Sequence, residues 1–131
     1  MWELAGNGWQ AVIQRHRAAV IERFVGSLNT PKPAQIAEMF NDLLGLTDIT
    51  AGWRWKKTSV ASAKQRLTDL VSLRGDIAHR VTTSSSVKKV DVVNAANFIA
   101  RLAVASSNTV REFAHQRVGK FPWPVEEFDE P

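Results

Sequence analysis

Between Val60 and Val81, apolar residues recur at three- and four-residue steps: Val60, Ala63, Leu67, Leu70, Val71, Ile77, Ala78 and Val81, with Arg74 in register among them. That spacing marks one face of an α-helix and excludes the two-residue alternation of a half-buried strand. Arg74 is therefore expected inside the buried stripe. A guanidinium there implies a carboxylate, a subunit interface or a cleft open to an anion, because an unpaired buried cation costs on the order of several kcal/mol.

Three more stretches carry the same period. Val12, Ile13, Val20, Ile21 and Phe24 predict a helix from about Trp9 to Leu28. The segment Asn29-Thr30-Pro31-Lys32-Pro33 is a stiff turn, since each proline fixes its own φ and disfavours the helical region for the residue before it. Pro33 suits the first turn of a second helix, whose stripe is Ile36, Met39, Phe40, Leu43 and Leu44 and whose left-handed stop is Gly45. Leu46 to Thr58 reads as connection, because Asp48, Thr50 and Gly52 break the period. Thr58 or Ser59 can cap the third helix, which is expected to run to about His79 or Val81. After the polar run Thr82 to Ser86, a fourth helix spans about Val87 to Val118, ended by Gly119, and should pair antiparallel with the third. Phe121-Pro122-Trp123-Pro124 cannot continue it, and its aromatic pair is expected to fold back on the bundle. The fold class is all-α, an up-and-down bundle of four principal helices. A chain of 131 residues, 44% hydrophobic, suffices for a single domain 1–131, with a core over about 10–117 and a tail over 119–131.

Charge is uneven along this frame. The net charge is +4, yet Arg54, Lys56, Lys57, Lys64, Arg66, Arg74, Arg80, Lys88 and Lys89 face only Asp69 and Asp76 in that stretch, while Glu126, Glu127, Asp129 and Glu130 close the chain. Positive charge thus gathers around the third helix. In Trp53-Arg54-Trp55-Lys56-Lys57, rings alternate with cations, a pattern that can stack bases and pair phosphates but that also plugs the end of a bundle with one ring in and one out. Arg54, Lys56, Lys57 and Arg80 are the candidate RNA-binding cations. The chain has no cysteine, which excludes disulfides and thiolate metal sites. The histidines, at 16, 79 and 115, lack the spacing of a zinc site, so no metal or cofactor is expected. No apolar run approaches the roughly eighteen residues of a membrane span, and no secretory leader opens the sequence, so the expectation is a cytoplasmic protein without a membrane partner.

The spacing Arg74-x4-His79, with the preceding Leu67-Thr68-Asp69-Leu70-Val71-Ser72-Leu73 and the upstream Leu28-Asn29-Thr30-Pro31-Lys32-Pro33, resembles the R-x4-6-H signature of the HEPN superfamily, in particular its RiboL-PSP-HEPN branch. This resemblance covers about residues 10 to 117. It implies a HEPN-like helical bundle, metal-independent RNA cleavage by a homodimer, and a toxin or phage-defence setting with an antitoxin or regulatory protein as a further partner. Carried over residue by residue, it makes Arg74 and His79 catalytic. One departure is that HEPN motifs usually place Asn, Asp or His directly after the arginine, whereas Gly75 follows Arg74 here and the acid comes one later, at Asp76.

An arginine and a histidine suffice for RNA cleavage, because the ribose 2′-OH supplies the nucleophile and the protein need only move protons and stabilise charge. His79 would move the proton, Arg74 would hold the scissile phosphate and Asp76 would orient one of them. On a straight helix, however, five residues at 100° set His79 about 140° from Arg74. The two then converge only if the helix loosens near Gly75 or ends at the histidine, or if a second copy brings its own pair. A non-catalytic module of the same fold, binding a nucleotide, RNA or protein, is the alternative reading.

Overall fold

The computed structural model describes residues 8–26, 28–78 and 87–128, and all four long elements among them are helices. They are α1 (Gly8–Gly26), α2 (Pro33–Leu44), α3 (Val60–Ala78) and α4 (Lys89–Val118), with a 3-10 turn at Ile49–Gly52. The protein is all-α, and no helix of the described residues is long and apolar enough to cross a membrane. By its contacts the chain falls into two compact units, Met1–Pro31 and Lys32–Pro131.

The first unit holds α1, in which the Arg23 guanidinium lies 5.6 Å from the centre of the Phe24 ring. The second unit holds the core. Its helices start and stop for local reasons that the sequence states. Pro33 begins α2, and Gly45 ends it at φ 70°, a left-handed conformation that favours glycine, with its N–H donating to the Asn41 carbonyl. Ser59 caps α3, its hydroxyl oxygen accepting the Ser62 N–H at 3.1 Å. Lys88 precedes the first turn of α4, where the Asp91 carboxylate accepts the Lys88 N–H at 3.0 Å, and Gly119 at φ 73° ends the helix. Thr82 to Ser86 lie outside the described residues.

The buried centre is made by Ile49, Trp53, Ala63, Leu67, Phe98 and Leu102. Ile36, Ala37 and Phe40 of α2 pack against it from one side, and Leu70, Val71, Ala105 and Val110 extend it. Ala63 and Leu67 from early in α3 meet Phe98 and Leu102 from the middle of α4, while later α3 residues face the start of α4, so the two helices run antiparallel. Arg66 joins them twice, donating to the Asn94 carbonyl at 3.2 Å and lying 4.6 Å over the Phe98 ring.

The segment read from sequence as mere connection turns out to be the keystone. Asp48 caps the 3-10 turn by accepting the N–H and hydroxyl of Thr50, which lets Ile49 and Thr50 be buried without leaving polar groups unpaired. Trp53 follows, fully buried, and its indole N–H donates to the Ser106 hydroxyl at 2.8 Å, which in turn donates to the Leu102 carbonyl. Trp55 is half-buried, its ring tilted against Phe98 with centroids 6.0 Å apart.

Beyond Gly119 the chain turns back along α4. Phe121 stacks on the His115 imidazole with ring centroids 3.8 Å apart and receives the Arg111 guanidinium on its face at 3.6 Å. Arg111 is buried but satisfied, donating from Nε to the Trp123 carbonyl at 2.8 Å and from a terminal nitrogen to Glu112. Asn108 then makes a two-way clasp with the Glu126 backbone, and the Phe128 ring lies 4.5 Å from the Arg101 guanidinium. Residues 121–128 are thus a strap fastened along one face of α4.

Candidate functional site

Arg74 occupies the last turns of α3, and the helix is regular through Gly75 to Ala78. His79 and Arg80 lie outside the described residues. Contrary to the expectation from the stripe, Arg74 is exposed. The reason is that the apolar stripe outruns its cover. Its first half, Ala63 and Leu67, is closed over by Trp53, Phe98 and Leu102, whereas Leu73 and Ile77 in the second half are 36% and 52% exposed. No desolvation cost therefore falls on the guanidinium, and no buried partner is required for it.

What surrounds Arg74 is an open groove of about 410 Å³ between the end of α3 and the start of α4. Leu70, Leu73, Ile77 and Ala78 line one wall and Val87, Val92 and Ala95 the other, with Arg74 and Asp91 as its charged members. The groove is thus an apolar trough with one cation and one carboxylate, and the carboxylate is already engaged in capping α4. Asp76 is exposed and, two residues on at 100° each, projects from about the opposite side of the helix to Arg74. It is therefore not placed to orient Arg74. Regular helix at Gly75 also means that no loosening occurs between Arg74 and Ala78.

A β-carbon at Gly75 would meet nothing within 4 Å. Gly75→Ala is accordingly expected to stabilise the protein by roughly 0.5–1 kcal/mol, by the usual difference between glycine and alanine in a helix. Thermal unfolding checks this, and a loss of stability would show that the glycine is needed for packing.

The remaining candidate cations gather elsewhere. A tight turn closed by mutual hydrogen bonds between the Trp55 and Thr58 backbones carries Lys56 and Lys57 at its tip, next to the exposed Arg54. Together with Arg101, Val104, Ala105, Asn108, Glu127 and Phe128, residues Arg54, Trp55 and Lys56 line a hollow of about 380 Å³. Arg101 and Phe128 were not singled out from the sequence. The sequence predicted only that the Phe121 and Trp123 pair would fold back on the bundle, which does not reach Glu127 or Phe128.

Comparison of the chain with protein-family models, curated proteins and solved structures finds no match. Among the described residues no group of three His, Asp or Glu side chains is arranged to hold a metal ion.

Proposed function

We propose that this chain is a metal-independent endoribonuclease of the HEPN type that cleaves single-stranded RNA as a homodimer, with Arg74 and His79 at its centre. The observation that carries the proposal is the placement of Arg74 at the lip of an open apolar groove, five residues before the histidine of its motif in the sequence. Leu73, Ile77, Val87 and Val92 stand 36–58% exposed there, and an apolar surface of this kind is stabilised when a second protein surface covers it. A second copy related by a two-fold axis would cover it and bring a second Arg74 and His79 to the same cleft.

In that cleft one His79 imidazole takes the proton from the ribose 2′-OH, and the oxygen attacks the adjacent phosphorus. The second copy's histidine protonates the departing 5′-oxygen. Arg74 pairs with the phosphate oxygens as their charge grows. The 5′ fragment must then end in a 2′,3′-cyclic phosphate. A toxin or phage-defence setting, with an antitoxin or regulatory protein as partner, comes with the family resemblance.

The test is incubation of the pure protein with end-labelled single-stranded RNA in the presence of a chelator. Cyclic phosphate ends, and survival of the same strand carrying deoxyribose at the cut, are the expected results. Products with free 3′-hydroxyls, or a need for added magnesium, would overturn the mechanism. Sedimentation showing only monomer at tens of micromolar would remove the second histidine and the mechanism with it.

A second reading is favoured by one observation, the unbroken helix through Gly75, which keeps Arg74 and His79 from converging within one chain by any bend before Ala78. On that reading the domain is a non-catalytic module binding a nucleotide, RNA or protein. Binding of RNA without any cleavage would select it.

A further inference from the structure

The hollow beside the middle of α4 has features that the groove at Arg74 lacks. Ten residues separate Asp91 in the groove from Arg101 in the hollow, which is about 15 Å along the helix and about a quarter-turn around it. Three cations, Arg54, Lys56 and Arg101, meet there between two aromatic side chains, Trp55 and Phe128. Lys57 continues the cationic rim into a smaller adjoining recess of about 200 Å³ that Trp55, Lys56 and Arg101 share.

One further detail supports a ligand. Lys57 holds φ 65°, a conformation that costs a side-chain-bearing residue on the order of 1 kcal/mol and that glycine adopts freely. A lysine in such a position supplies charge at the expense of stability. An acidic side chain shares the place. Glu127 on the strap lines the hollow beside the cations, and the Asn108 clasp holds the preceding Glu126 backbone in register.

We propose that this hollow is a single-strand nucleic-acid subsite in which one base lies against Trp55 and Phe128 while flanking phosphates pair with Arg54, Lys56, Lys57 and Arg101. The volume falls within the usual range of ligand pockets, about 300–1,000 Å³, and aromatic faces with a cationic rim bind strands with little sequence preference. Glu127 opposes the phosphates, so the strap lowers the affinity of the site it helps to build. The subsite does not depend on cleavage at Arg74, and its test is made with a strand that cannot be cleaved by 2′-OH attack.

Fluorescence anisotropy of a labelled twelve-nucleotide DNA single strand, and of a 2′-O-methyl RNA strand of the same sequence, reads the affinity at fixed salt. Arg54→Glu with Lys56→Glu should weaken both strands tenfold or more, whereas Arg117→Glu with Lys120→Glu, the same change in charge elsewhere, should weaken them less than threefold. Glu127→Gln should strengthen binding severalfold. Lys57→Gly should raise the melting temperature while weakening binding. Quenching of tryptophan emission by the strand should shrink in Trp55→Phe. Displacement of the strand by AMP would make a single nucleotide sufficient, and failure of AMP to compete would assign the hollow to a strand; both support the site. Equal weakening by the two charge-reversed pairs, no gain with Glu127→Gln, or no strand bound at 100 micromolar protein would overturn it.

Discussion

His79→Ala is expected to lower the rate of RNA cleavage about a hundredfold or more, because a positioned proton-transfer group is typically worth that much. In a two-fold dimer the same substitution removes base and acid together, which places the loss toward the upper end. Arg74→Lys keeps the charge but exchanges a planar fork of donors for a point charge, and should cost on the order of a hundredfold as well. Since Arg74 is exposed and contributes no buried interaction, Arg74→Lys should leave thermal stability unchanged. That separates a lost catalytic contact from a damaged fold. Mixing His79→Ala protein with Arg74→Lys protein adds a check on the dimer. Heterodimers carry one intact histidine and one intact arginine, so any recovery of activity above both parents requires that the site be shared between copies. Cleavage that persists unchanged in His79→Ala would sink the mechanism, whatever the oligomeric state.

The parts of the fold legible in the sequence are those fixed by neighbours in the chain. Helix stripes repeat locally, Gly45 and Gly119 stop helices by their own backbone freedom, and Ser59 needs only the N–H of Ser62 to cap α3. The 3-10 turn was illegible for the opposite reason. Four residues are too few to show a period, and the burial of Ile49 and Thr50 is decided by α2, α3 and α4 closing around them. Arg74 failed differently, since periodicity says which residues share a face but not how far along the helix that face is covered. At the hollow, Arg54 and Lys56 stood out by their alternation with tryptophan, whereas Arg101 and Phe128 meet only because the chain reverses at Gly119.

Gly52→Ala should destabilise the protein by about 3 kcal/mol, the upper range for forcing a methyl group into a packed interior. A β-carbon on Gly52 would sit 1.8 Å from the Thr109 hydroxyl oxygen and 3.0 Å from its β-carbon, so turning the Thr109 side chain relieves only part of the overlap. The hydroxyl is also committed, donating to the Ala105 carbonyl at 2.7 Å. The turn and α4 must therefore move apart, and that motion strains the contacts on either side. Ile49 sits in the core on one side of the turn, and on the other the Trp53 indole is tied to Ser106, one turn before Thr109 on α4. A loss of this size corresponds to a fall in melting temperature on the order of ten degrees for a domain of about a hundred residues. Thr109→Ala alone should cost about 1 kcal/mol, since it removes one half-buried hydroxyl and one methyl. Combined with Gly52→Ala it should restore at least 1 kcal/mol relative to the sum of the single effects, a coupling measurable by a double-mutant cycle in urea. Additive losses, or a Gly52→Ala protein within 0.5 kcal/mol of the wild type, would mean that the turn is free to back away from α4 and does not anchor the core.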